Sequence, residues 1–238
     1  MGERIYNEEK YVPNHKIETE HFIINYNMVD KKCIGNLLEV LEAGYSRVTN
    51  NLNRKLGEKV IIEIQSNLNE LHIALGFPNA PNWIRGGLGN GKIIIASPLN
   101  PPPGSNMDNV INTAVHEFVH VVLRKINNDI PRWLDEGIAS YESKDNNQNW
   151  IDSTIKEGLK SGNIPTFNDL DTGEDFEEFF KKNGYQYSYT IVEAIVEVFG
   201  YDKLYKLIES PTNFIKIFGI TQEELENRWI EYIKKNYF

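Results

Sequence analysis

The segment His116-Glu117-Phe118-Val119-His120 constrains this chain more than any other, because its two histidines can act together only on a helix. The flanking residues supply that helix: Val110, Ile111, Ala114, Val115, Phe118, Val119 and Val122 recur at a spacing that forms a broad buried surface. Residues four apart stand about one turn apart, so the imidazoles of His116 and His120 project from one face and can share one ion. Glu117 is one position round. Its carboxylate is placed to reach a water on that ion and take its proton rather than to join the ligands.

A catalytic zinc keeps three protein ligands and one open position, so a third ligand is expected on a neighbouring element. Glu136 is the foremost candidate. Asn127 and Asn128 end the motif helix, Asp129 is suited to cap a second one, and Pro131 fits its first turn. Trp133 to Tyr141 then fold back beside the first helix. Gly137 permits close approach of the two, and Glu136 follows His120 by sixteen positions (136 minus 120), enough for a turn and a return. Asp135 is the rival ligand. A purely structural zinc site would close its fourth position with Cys or His, and neither stands at suitable spacing.

The rest of the chain reads as α+β, sheet first. His21 to Tyr26, Lys59 to Ile64 and Lys92 to Ser97 have the composition of strands. Between the first two, Ile34, Leu37, Leu38, Leu41, Tyr45, Val48 and Leu52 recur at helical spacing, and a short helix is expected around Leu68 to Leu75. Gly86-Gly87 and Gly89-Asn90-Gly91 read as punctuation, and Pro101-Pro102-Pro103-Gly104 as a connection between layers. Helices follow over Asp108 to Ile126, Pro131 to Glu142, Trp150 to Ser161, Phe176 to Lys182 and Tyr187 to Phe199, with shorter ones through Tyr237. The expected architecture is a small mixed sheet with backing helices followed by a mainly helical C-terminal half. Its divisions are residues 1–104, a metal-binding helical segment 105–145, and a helical subdomain 146–238. Strand Lys92 to Ser97 is expected to form the upper edge of the cleft, where an extended peptide could add by main-chain hydrogen bonds, or to be an ordinary edge strand.

Charge removes one class of partner. With 25 Lys plus Arg against 34 Asp plus Glu, the formal net charge is -9, and pairs such as Lys31-Lys32, Lys181-Lys182 and Lys234-Lys235 read as solvated helix faces, so nucleic acid is not an expected partner. No apolar run reaches the length of a transmembrane segment, and the polar Met1 to Tyr11 favours the cytoplasm, although a secreted chain whose leader had been removed would read the same. Cys33 is the single cysteine, which excludes an internal disulfide and a thiolate metal site. His15 in a polar tail, His21 at the start of a strand and His72 on a short helix have no partner at ligand spacing and read as structural. Asn112 and Thr113, one turn before the motif, read as helix-surface residues, with orientation of a metal ligand as the alternative. The composition sets no oligomeric state.

With these motifs in place the chain resembles the gluzincin metallopeptidases, in which His-Glu-x-x-His is followed by a glutamate ligand in a Glu-Gly-x-Ala setting, here Glu136-Gly137-Ile138-Ala139. Within that clan it is most similar to the small bacterial group described as peptidase MA-like, whose members open with a His-Phe strand, a long helix and a second strand, as His21 to Ile64 does. Weaker marks are the Asn163-Ile164-Pro165 turn, the segment Tyr185 to Ser188 leading into a helix, and a final helix around Trp229. The resemblance implies a zincin-like fold, one Zn2+ per chain, and hydrolysis of a peptide or protein substrate with Glu117 as general base. It also assigns Tyr185, just before a helix, as oxyanion donor, with Tyr189 as second choice. The aminopeptidase branch carries a Gly-x-Met-x-Asn strand motif that is lacking here, which points to an endopeptidase or to an enzyme with an unusual substrate. The alternative from another class is a non-catalytic peptide- or protein-binding module on a metallopeptidase fold.

Overall fold

In a computed structural model of the chain, residues 13–144, 147–173 and 175–237 are described; the Met1 to Tyr11 segment lies outside them. The described residues up to Arg47, with Leu56–Phe118, form one compact unit; Val48–Lys55 and the chain from Val119 onward form a second.

The first unit is built on five strands, β1 (His15–Glu18), β2 (Phe22–Tyr26), β3 (Val60–Gln65), β4 (Gly86–Gly89) and β5 (Lys92–Ala96), in the order β1-β2-β3-β5-β4. β2, β3 and β5 run parallel, whereas β1 and β4 pair antiparallel at the two edges. By their register Phe22, Ile24, Ile62, Ile64, Ile93 and Ile95 of the parallel strands share one face, and all six are fully buried, whereas Ile23, Asn25 and Ile61 on the other face are half-buried. Helix α1 (Lys31–Asn51) crosses from β2 to β3, and α2 (Leu68–Ala74) lies between β3 and β4, capped by the Asn67 side chain, which accepts from the Glu70 amide at 3.0 Å. The expected three strands are therefore joined by two more. His15 belongs to an edge strand rather than to a tail, and Lys92–Ala96 has neighbours on both sides, so the edge role falls to β4.

Two contacts seat α3 (Met107–Ile126) on this unit. Phe118 packs edge-on against Phe22, with centroids 5.4 Å apart, and stacks with Tyr45 of α1 at 5.5 Å. At Gly44 of α1, an added Cβ would lie 3.1 Å from Val115, so the absence of a side chain lets α1 approach the helix that carries the motif. Thr113 is buried rather than on the helix surface, its hydroxyl donating to the Asn109 carbonyl at 2.9 Å.

Asp30 is fully buried where α1 begins, and one of its carboxylate oxygens accepts from the Ser97 hydroxyl. Burial pushes this carboxyl above its ordinary value of 3.8, against the opposing effect of the Ser97 bond. A group whose folded pKa is raised contributes stability that is fully present below the unfolded value and lost as pH rises through the folded one. Asp30→Asn removes that titration, so its stability relative to the parent protein is expected to rise as pH increases from about 4 to 7. Urea midpoints of the two proteins across that range check it, and a difference independent of pH would refute it. Cys33, one turn on, is also buried, donating to the Asp30 carbonyl at 3.0 Å, with its thiol pushed up to about 11 by burial and by Asp30.

The second unit is helical. After the C-terminal part of α3 come α4 (Arg132–Ser143), α5 (Gln148–Ser161), α6 (Phe176–Lys181), α7 (Gly184–Phe199), α8 (Tyr201–Glu209), α9 (Phe214–Phe218) and α10 (Gln222–Tyr237). An aromatic core of Trp133, Phe167, Tyr187 and Trp229 joins α4, α7 and α10, and the Trp229 indole donates to the Thr190 hydroxyl at 3.0 Å. The carboxylate of Glu142, 2% exposed, is held by the Asn51 amide at 3.1 Å to each oxygen and by the Tyr201 hydroxyl at 2.7 Å. No helix among the described residues is long and apolar enough to cross a membrane.

Candidate metal centre

Helix α3 fixes the first half of the site. Val110, Ala114, Val115, Phe118, Val119 and Val122 are buried along it, which leaves His116 half-buried one turn ahead of His120. His120 is 7% and Glu117 8% exposed, so the helix carries a carboxylate and an imidazole largely removed from bulk water. Keeping such groups there is costly unless they are paired or hold a metal.

The turn between α3 and α4 fixes the other half. The Asn127 side chain accepts from the Asp129 amide at 2.9 Å and donates to the Ile208 carbonyl at 2.9 Å, tying the turn to α8. Pro131, not Asp129, occupies the cap position of α4. Asp135 and Glu136 are then neighbours on α4, and the histidine distinguishes them. His120 presents Nδ1 to Asp135 Oδ1 at 2.7 Å and Nε2 toward Glu136 Oε2 at 3.8 Å. A carboxylate that accepts the Nδ1 proton of a histidine leaves its Nε2 lone pair available for a cation.

Ligand atoms of His116, His120 and Glu136 lie within 4.8 Å of one another. Zinc binds nitrogen and oxygen at about 2.0–2.2 Å, so ligands of one ion stand up to about 4.4 Å apart, and small side-chain adjustments suffice to close this group around it. Two imidazoles and a carboxylate are a donor set that suits zinc. Asp135, weighed as rival ligand, is not a member of this group, and its carboxylate lies against His120 Nδ1. Arg132, which the sequence reading did not single out, donates to Glu136 Oε1 at 3.3 Å.

A family model described as the Peptidase MA superfamily matches residues 42–235. The chain belongs to that superfamily. It is thus a gluzincin-type member by family and zincin-like in fold, with a small mixed sheet and a mostly helical remainder. No curated protein and no solved structure matches it significantly. The match covers both motif helices, α3 and α4, and ends near the close of α10.

In this peptidase MA member Tyr185 lies inside the first turn of α7 rather than before the helix, half-buried and edge-on to Phe179 with centroids 5.0 Å apart. Tyr189, one turn on, is buried, and its hydroxyl donates to Glu193 Oε1 at 3.4 Å. Glu193 also accepts from the Tyr237 hydroxyl at 2.5 Å, and burial pushes its carboxyl upward. Tyr189 thus belongs to a network that joins α7 to α10. Of the other histidines, His21 donates or accepts through Nδ1 with Glu42 at 2.5 Å and stacks on Tyr45, and His72 is buried in α2.

Gly137 lets α4 close against α7. A Cβ there would lie 2.6 Å from the Ser188 carbonyl oxygen and 2.8 Å from Val192 on α7, so the two helices touch backbone to backbone. Gly137→Ala is expected to destabilise the protein by about 1–3 kcal/mol, since backbone atoms cannot yield as a flexible side chain would. Chemical denaturation measures this, and an unchanged midpoint would contradict it.

Proposed function

We propose that this protein is a zinc-dependent metallopeptidase, acting as an endopeptidase, with Glu117 as general base. The supporting observation is the convergence of His116, His120 and Glu136 in a chain that also places a buried carboxylate, Glu117, beside the first ligand. Zinc bound there would act as a Lewis acid on the scissile carbonyl and make a water nucleophilic at neutral pH. Glu117 would take the proton of the attacking water and return it to the departing amine. Asp135 would hold the His120 ring in its ligating tautomer, and Tyr185 would donate its hydroxyl hydrogen bond to the developing oxyanion. An extended peptide would align along β4, which has no strand beyond it among the described residues and can offer main-chain groups.

The test combines metal analysis with a diverse peptide library assayed with and without chelator. About one zinc per chain is expected, because the donor set supplies the three protein ligands of a catalytic site. Cleavage should occur within peptides and stop on chelation. A protein that takes up no zinc from a supplemented medium would end this reading, and one that binds zinc but cleaves nothing would favour a non-catalytic peptide-binding module.

A further inference from the structure

We propose that Arg132 is the positioning residue of the third metal ligand, and that it acts as a rigid fork rather than as a charge. This rests on the reading of Glu136 as a ligand. An arginine four residues ahead of a glutamate on a helix is ordinarily a minor feature, since the order opposes the helix dipole and such pairs contribute only a few tenths of a kcal/mol. Here the side chains are 18% and 12% exposed, and the guanidinium is held from two further directions. Its Nε donates to the Gly173 carbonyl, and its central carbon lies over the Phe179 ring, 5.7 Å from the centroid. The Arg132 amide donates to Asp171 Oδ1 at 3.0 Å, so backbone and side chain of this residue are both tied to the segment Asp171–Gly173.

The consequence falls on Glu136. Its terminal torsion is broad and roughly twofold when nothing restrains it. With Oε1 engaged by Arg132 Nη1 at 3.3 Å, Oε2 is the oxygen turned toward His120 Nε2, at 3.8 Å. The fork thus presents one carboxylate oxygen to the metal and withholds the other. A lysine ammonium could supply the charge. It could not donate from one planar group to both Gly173 and Glu136 while sitting over Phe179. The same ring meets Tyr185 edge-on and packs against Gly184, where a Cβ would lie 2.5 Å away, so it anchors the start of α7 as well.

Zinc dissociation constants, measured by competition with a chromophoric chelator, test this on the full chain and its Arg132→Met, Arg132→Lys and Phe179→Leu variants. Circular dichroism of each metal-free protein establishes which are folded at the assay temperature. Arg132→Met and Arg132→Lys are both expected to bind zinc at least about tenfold more weakly, as loss of a group that orients a ligand commonly does. Phe179→Leu should weaken it by a smaller factor. Should Arg132→Met fail to fold, the other two carry the test. Zinc bound by Arg132→Lys as tightly as by the parent would overturn the fork, and unchanged affinity in Arg132→Met would overturn the positioning role altogether. A parent protein that binds no zinc would instead bring down the metallopeptidase reading, and this inference with it.

Discussion

Glu117→Gln is expected to retain fold and zinc while losing peptidase activity by about a hundredfold to ten-thousandfold, the range attributed to general acid-base groups. The substitution changes little in shape. Glu117 is 8% exposed on the packed helix α3, and a nearly isosteric amide keeps its volume and most of its hydrogen-bonding capacity. What the amide lacks is the ability to accept a proton at neutral pH, so the attacking water is not activated and the leaving amine has no acid to receive it from. Values of kcat/KM on the best library peptide, together with zinc content, separate the outcomes. Loss of zinc would make Glu117 itself a ligand. Undiminished cleavage with zinc retained would remove it as the base.

The second large effect concerns two adjacent carboxylates with different tasks. Glu136→Ala removes the proposed third ligand and is expected to release zinc on dialysis, whereas Asp135→Ala removes only the partner of His120 Nδ1 and should weaken binding about tenfold to a hundredfold. The contrast follows from one ring: His120 meets Asp135 at 2.7 Å through Nδ1 and faces Glu136 through Nε2. Competition with a chelator orders the two variants. The reverse order would move the third ligand to Asp135 and dismantle the role given to Arg132.

The motif helices were legible because helical periodicity and ligand chemistry coincide there. His116 and His120 stand one turn apart among valines and phenylalanine, and Gly137 marks the contact of α4 with α7. The choice between Asp135 and Glu136 was not decidable from spacing alone. Two neighbouring helix positions differ by about 100° of rotation, and the rotation of α4 is set by contacts distant in sequence, including Ser188 and Val192. Arg132 escaped notice for a related reason, since an arginine before a glutamate on a helix is common and its anchors, Gly173 and Phe179, lie some forty residues on.

Strand β4 was hidden by its own composition. Gly86, Gly87 and Gly89 carry no strand preference and read as turn signals. In the fold they are required by what covers them: added Cβ atoms would come within about 3 Å of Ile94 or Leu75. β1 has a single aliphatic residue, Ile17, and becomes a strand through its register with β2. Tyr185 falls inside α7 because the helix starts at Gly184, with Asn183 at φ 55 as its cap residue, rather than at Tyr187 as its pattern suggests.

The bond network around Glu142 bears on how the chain could be dissected. Residues Val48–Lys55 belong to the helical unit although more than sixty residues separate them from Val119, where that unit resumes, so it is discontinuous along the sequence. A fragment cut to begin at Val119 would lack Asn51 and leave the Glu142 carboxylate without the amide that bonds both of its oxygens. Removing one partner of a buried charged group costs about 1–3 kcal/mol or more. Reconstitution from two pieces would therefore need the end of α1 supplied in trans, and a circular permutant that joins this short segment to the helices it serves would keep the unit continuous.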